Sequence, residues 1–297
     1  MSVLKNIFAR SLVLSCLTAC FISTAFAAAN TASVASASVP SDLIKQDAGA
    51  KMILNLTHGK AVITQEFQAV GNINGYVISP KEGGQSVIIY ADKDGQYMFM
   101  GSLMDSAGNS LSNTFNQKYV VSVTAKAALK EAAGTTWFVD GKDSAPHKAY
   151  ILLDPNCIYC HKIYQEVFPM IDSGDLQVRW VPVGFLKETS PGKSAALIQA
   201  AQTKGAKAAD QLLRTDELEF DTQHEEGGIP VLNNSDKDAK QAFAAVSANT
   251  QFFSKYGFQG TPTLIYTDNK THEAAYFPGY LGGKDFENLV STMSGSW

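Results

Sequence analysis

The chain has 297 residues, 45% of them hydrophobic and 18% charged, with a formal net charge of −4. That is ample material for a core and suggests one or two domains. No Lys/Arg block or basic-aromatic stripe interrupts the sequence, which argues against nucleic acid and anionic membrane surfaces as partners.

The first predicted element is a targeting segment. Lys5 and Arg10 precede an apolar stretch over 11–26 and the small-residue site Ala25-Phe26-Ala27, the pattern of a signal peptide over 1–27. Cys16 and Cys20 fall inside it and leave with it. A competing reading takes Leu17-Thr18-Ala19-Cys20 as a lipoprotein box with Cys20 lipidated, but apolar residues continue past Cys20 through Phe26. An Ala/Ser-rich linker follows over 28–40.

Residues 41–113 read as a first module. Helical spacing over 42–56 gives way to period-two runs at 61–69, 75–79, 86–90 and 97–103, separated by Gly- and Asn-containing turns, which predicts an antiparallel meander. A sheet of about four strands must cover its faces with its own helix or with another chain, so dimerisation is a natural outcome. Residues 114–133 predict a long helix with a polar tail, a solvent-exposed connector continuing to about residue 145. The stretch 137–147 is polar and turn-rich.

The second module, 146–297, opens with an apolar run over 149–153 that stops at Asp154-Pro155-Asn156. From Cys157 the period changes: Cys160, Tyr164, Val167, Phe168 and Ile171 form one helical stripe, closed by Gly174. Then come a strand over 176–183, a helix over 190–219 broken near Gly205, a loop over 221–235 and a helix over 236–256. Short strands at 263–266 and 274–277 and a terminal helix over 284–293 complete a mixed α/β layer with helices on both faces.

Without the leader, Cys157 and Cys160 are the only cysteines left. A pair this close encloses too small a loop to stabilise much, so its value is reactive. Cys157 at a helix start meets unpaired N–H groups and the positive end of the macrodipole, which favours its thiolate. Cys160, one turn further in on the apolar face, is a thiol that can attack Cys157 but that other molecules reach poorly. The bland reading, an inert disulfide, conflicts with that placement.

Cys157-Ile158-Tyr159-Cys160 together with Gly260-Thr261-Pro262-Thr263 resembles the thioredoxin fold, in which a CxxC helix start faces a cis-proline loop. Asp154-Pro155, Tyr159, Pro169, Val183-Gly184 with Ser190-Pro191, and 109–114 in the first module (Asn-Ser-Leu-Ser-Asn-Thr) extend the similarity to the DsbG/DsbC family of periplasmic thiol:disulfide interchange proteins. The resemblance covers most of 41–297. It implies an α+β, cystatin-like N-terminal dimerisation domain, a connector helix and an α/β thioredoxin-like domain with a helical insertion, paired into a homodimer. It also implies Cys157, Cys160, Thr261 and Pro262 as site residues, no cofactor, misoxidised or unfolded exported proteins as substrates, a membrane thiol reductant of the DsbD type, and periplasmic residence. Disulfide isomerisation or reduction, reduction of sulfenylated cysteines and chaperone activity are the implied functions. Ile158 departs from the family, where proline or glycine is usual, and bears on the redox potential.

Rival readings rest on the same residues. Cys157-Ile158-Tyr159-Cys160-His161 satisfies the spacing for covalent haem attachment, with Met170 or Met293 as a second axial ligand. Against it stand the buried strand directly before the motif and a two-module layout without a use for haem. The other histidines lack paired spacing for zinc, and His161 itself reads as a solvated helix-face residue. A DsbA-like oxidase would lack the first module. A chaperone-only binding protein would use apolar walls and leave the cysteines secondary.

Overall fold

The computed structural model describes residues 47–297. The signal peptide expected over 1–27, the linker expected over 28–40 and the first residues of the helix expected from 42 lie outside the described residues.

Helix α1 (Ala48–Leu56) starts where Asp47 accepts a hydrogen bond from the Ala50 N–H at 2.7 Å, satisfying one of the free donors of the first turn. The Tyr76 hydroxyl donates to the same carboxylate. Strands β1 (Ala61–Val70), β2 (Ile73–Pro80), β3 (Val87–Asp92) and β4 (Met98–Phe99) form an antiparallel sheet in sequence order. The run expected over 97–103 thus pairs at two residues only. Side chains alternate across this sheet: Tyr76, Ile78, Ile89 and Ala91 pack against Ala50 and Ile53 of α1, whereas Phe67, Val77 and Tyr90 pack against Val120.

Val120 belongs to the connector. Helix α2 (Leu111–Asn116), capped by Ser110, runs through a π-helical turn (Gln117–Val121) into α3 (Ser122–Ala132). The sequence placed this helix in solvent. In the fold its head covers the second face of the first sheet, and Ala125, Ala128 and Ala132 along its tail are fully buried. Small side chains let the helix lie close on its neighbours, and a polar outer face hid that burial from the hydropathy pattern.

The second sheet has the order β5-β7-β6-β8-β9, built from β5 (Phe138–Asp140), β6 (His147–Leu153), β7 (Leu176–Pro182), β8 (Thr263–Thr267) and β9 (Ala274–Pro278). Strands β6 and β7 are parallel and the other neighbours antiparallel. Strand β5 lies in the stretch read as polar turn. Three residues are too few to show a period, and their pairing partners, Val178 to Trp180, are supplied by a strand nearly forty residues later.

Helix α4 (Ile158–Ser173), carrying the two cysteines, and α8 (Lys284–Ser291) cover one face of this sheet over Ile151, Leu153, Val178, Trp180 and Leu264. The other face, Tyr150, Leu152, Val181 and Ile265, meets the end of α3 and the phenylalanines Phe252 and Phe253 of α7 (Lys240–Lys255). Between β7 and α7 the chain inserts α5 (Ser190–Lys204) and α6 (Ala206–Leu218), divided at Gly205 as its spacing predicts. Gly174 closes α4 in the left-handed conformation, φ 91°.

Candidate active site

Strand β6 delivers the chain to Asp154 at the end of the sheet, and Cys157 is the N-cap of α4, in extended conformation with φ −90° and ψ 116°. Its N–H donates to the Asp154 carbonyl at 3.0 Å. Across from it, the cis peptide Thr261-Pro262 enters β8. The Cys157 thiol donates to the Thr261 carbonyl at 3.1 Å. Both cysteines are free thiols; Cys157 is 6% exposed and Cys160 0%. The fold therefore brings together Cys157, Cys160, Thr261 and Pro262, the four residues singled out in the sequence.

Electrostatics separate the two sulfurs. The Cys160 thiol, as hydrogen-bond donor, is the largest influence drawing Cys157 down to about 7; burial opposes it, and Thr261 and the backbone N–H groups of Cys160 and Tyr159 add to the lowering. The helix start is thus one influence among several. The larger contribution comes from the neighbouring thiol. Burial first, then the nearby Cys157, pushes Cys160 well above an ordinary thiol. One sulfur is ionised near neutral pH while the other holds its proton.

The turn before α4 is held by a buried polar network. Asp154, fully buried, accepts from the N–H groups of Asn156 (3.0 Å), Phe185 (2.9 Å) and Leu186 (3.1 Å) and from the Ser190 hydroxyl (2.7 Å). Asn156 donates to Thr189 at 2.7 Å and to Ser190 at 3.0 Å. Four donors occupy the lone pairs of the carboxylate, so loop 184–190 is tied to the cysteine turn. A Cβ at Gly184 would come within 2.7 Å of Pro191 Cα, which explains why Val183-Gly184 and Ser190-Pro191 go together. The sequence flagged these residues by resemblance. Their role as a brace becomes visible only with β6 and β7 side by side.

A cleft of about 320 Å³ opens beside Cys157, walled by Tyr159, Leu186, Lys187, Glu225 and Thr261. Its rim is apolar and exposed at Tyr159 (53%) and Leu186, and Phe185, next to Leu186 in the chain, is exposed as well. Lys187 donates to the Glu225 carbonyl at 3.0 Å, which ties the rim to the loop after α6.

His161 is not solvated. Its ring stacks on Phe220 at 4.4 Å with 10° between planes, and Nδ1 forms an ion-pair contact with Glu217. Glu217 lies in α6 and Phe220 just past its end, more than fifty residues away, where no local signal could announce them. These contacts do not fit haem attachment, which requires His161 turned to an iron and both sulfurs open to the macrocycle. Among the described residues no group of three His, Cys, Asp or Glu is arranged to hold a metal ion, and no helix is long and apolar enough to cross a membrane.

Comparison with known proteins places this geometry. Residues 140–294 match the Thioredoxin-like domain family. DsbG of Escherichia coli K12, a thiol:disulfide interchange protein, is 28% identical over 218 residues, 73% of this chain and 82% of that protein. DsbG of Pseudomonas aeruginosa is 27% identical over 207 residues, 69% and 75% of the two chains. Among solved structures, Helicobacter pylori DsbG is 20% identical, with a TM-score of 0.37 over 74% of this chain and 99% of that one. The catalytic domain of Proteus mirabilis ScsC is 19% identical, with a TM-score of 0.42 over 56% and 95%. The matched span exceeds half of the sequence and holds both cysteines and the proline loop: the chain belongs to the thioredoxin-like family and, within it, is similar to the DsbG/DsbC proteins.

Proposed function

We propose that the protein is a thiol:disulfide oxidoreductase and isomerase of the periplasm, with Cys157 as nucleophile and Cys160 as resolving thiol. The observation that carries this reading is a cysteine capping a helix and set against the cis-proline loop, with its thiol on the Thr261 carbonyl, beside a fully buried second thiol. The Cys157 thiolate attacks a substrate disulfide; its sulfur bonds to one substrate sulfur, and the other leaves as thiolate. Either that thiolate returns to a different sulfur of the substrate, which rearranges the disulfide, or Cys160 attacks Cys157 and releases reduced substrate. In the second branch the protein gives up two electrons and leaves as a disulfide. A membrane thiol reductant of the DsbD type then restores the dithiol.

Thr261 and Pro262 form the docking edge. The proline carries no N–H toward the sulfur, and the Thr261 carbonyl at 3.1 Å lies where an extended substrate would add as a strand. The apolar rim at Tyr159 and Leu186, with Phe185 beside it, suits partly unfolded exported proteins. In the division of labour we favour, 41–113 is a cystatin-like dimerisation module, 114–145 the connector and 146–297 the catalytic domain. Exposed Tyr97, Met100 and Met104 on the first module favour the homodimer. Attack of Cys157 on a sulfenylated substrate cysteine, with water leaving, uses the same thiolate.

The test is capture. A Cys160→Ala variant expressed in a periplasm should accumulate mixed disulfides through Cys157 that a reductant dissolves; no trapped species, together with no insulin reduction by the wild type, would overturn the reading. The same apolar rim favours a second activity, suppression of aggregation. Replacing both cysteines by serine separates the two: insulin reduction should vanish while aggregation suppression persists.

A further inference from the structure

Strand β7 reads Leu-Gln-Val-Arg-Trp-Val-Pro, and Arg179 stands in the middle of it, paired with Val139 of β5 on one side and Tyr150 of β6 on the other. A charge set into an apolar sheet is costly unless an opposite charge or hydrogen-bond partners meet it. Among the described residues Arg179 forms no ion pair.

Rings hold the guanidinium instead. Its centre lies 4.1 Å from the Trp137 ring, 3.9 Å from the Trp297 ring and 5.3 Å from the Tyr150 ring. Backbone pairing brings both indoles there. Trp137 leads into β5. The segment before Trp297 is fixed at Ser294, whose N–H donates to the Thr267 carbonyl at 2.7 Å and whose carbonyl accepts from the Lys148 N–H at 2.9 Å. Rings this close cover the guanidinium and leave its in-plane N–H groups as the part that hydrogen-bonds. The Tyr150 hydroxyl takes a bond from Nη1, whereas Nε is buried without a partner. The result is a charged donor fork, held still, with most of its bonding capacity unspent.

A cavity of about 600 Å³ opens beside it, between the second sheet and the connector helix α3, within the range of about 300–1,000 Å³ usual for small-molecule sites. Arg179 and Trp297 belong to its sheet side, and Lys126, Leu129 and Lys130 line it from α3. The two lysines are one helical turn apart and so share a face; neither forms an ion pair among the described residues. Against these three cations the lining holds one carboxylate, Glu273. In a chain of formal charge −4, a concave site with that balance concentrates anions. Thr267, also in the lining, ends β8 at the opposite end from Pro262, and Tyr150 lies on the sheet face away from α4. The cavity is therefore separate from the cysteine turn and its cleft.

We propose that this cavity binds a small organic anion with a flat apolar body. The acid group, a carboxylate or sulfonate, accepts from the Arg179 fork and from the ammonium groups of Lys126 and Lys130. The body lies on Trp297 and against Leu129. A bare inorganic anion would leave the aromatic wall without a contact, and a neutral aromatic molecule would leave the cations uncompensated. Since α3 is the connector and Arg179 belongs to the second sheet, the bound anion bridges the two and stabilises their contact.

The matched probes are 8-anilinonaphthalene-1-sulfonate and N-phenyl-1-naphthylamine, which share their rings and differ by the sulfonate. Quenching of tryptophan emission reads their binding. In the wild type the sulfonate should bind at least about tenfold tighter than the neutral amine, and added salt should weaken the sulfonate alone. Arg179→Met keeps an apolar chain among the rings; it should weaken the sulfonate by at least about tenfold and leave the amine within about twofold. The pair Lys126→Gln and Lys130→Gln changes exposed side chains on the helix surface and should weaken the sulfonate by about threefold or more. That pair decides the matter should Arg179→Met not fold. The sulfonate should also raise the unfolding midpoint of the wild type more than that of the lysine variant. Equal affinity of the two probes for the wild type, or sulfonate binding unchanged in either variant, would overturn the proposal, with the exposed apolar side chains at Tyr97, Met100 and Met104 then holding the dye.

Discussion

Replacing Cys160 by alanine tests where the acidity of Cys157 comes from. The neighbouring thiol is the largest influence lowering Cys157 to about 7, ahead of Thr261 and the backbone N–H groups. A hydrogen bond to a charged group contributes about 1.5–3 kcal/mol, and each pKa unit corresponds to about 1.4 kcal/mol. Loss of that donor should therefore move the midpoint up by roughly one to two units, to about 8–9. At pH 7.4 the thiolate fraction would fall from about 70% to below about 20%. The raw alkylation rate understates the change, because a more basic thiolate is intrinsically more nucleophilic, with a Brønsted slope of about 0.4–0.5. The proper readout is the midpoint of the iodoacetamide rate against pH, or of thiolate absorbance at 240 nm. A midpoint still near 7 in Cys160→Ala would refute the assignment and return the acidity to the helix start.

Two further predictions concern stability. Asp216 is held at about 6 in the folded protein, mainly by burial, against an ordinary value of 3.8. Because the folded value is the higher one, stability is fully present below about pH 4 and is lost as pH rises through 6. Asp216→Asn should therefore raise unfolding free energy at pH 7.5 by on the order of 2 kcal/mol, with the difference vanishing near pH 4 in urea titrations; a pH-independent difference would contradict the burial argument. Asp154→Ala should cost about 3 kcal/mol or more, because the N–H groups of Asn156, Phe185 and Leu186 lose their acceptor. Guanidinium unfolding would read it, with hydrogen exchange of the Phe185 and Leu186 amides rising well ahead of the sheet.

The strand, the break at Asp154-Pro155 and the helix after it were legible because each announces itself within a few residues: an apolar run, a turn cluster, then three- and four-residue spacing. The division of 190–219 at Gly205 was legible for the same reason. Strand β5 was not, since Phe138–Asp140 is a strand only by virtue of β7. Residues 97–103 have the composition of a strand, yet pair at Met98 and Phe99 alone, because composition does not determine where a partner ends. Cys157, Cys160, Thr261 and Pro262 could be picked out from two short motifs. The surroundings of His161 could not, for their meaning comes from a helical insertion folding back onto α4.

The π-helical turn at Gln117–Val121 has a mechanical consequence for the whole chain. One extra residue in a helical turn rotates everything downstream by about 100°, and here that offset lets a single rod present Val120 to one sheet and an alanine face to the other. Excising one residue from the turn would leave the rod intact but out of phase, so one of its two seats would be lost. The angle at which the cysteine-bearing half is carried is thus written into a single surplus residue, far from either sulfur.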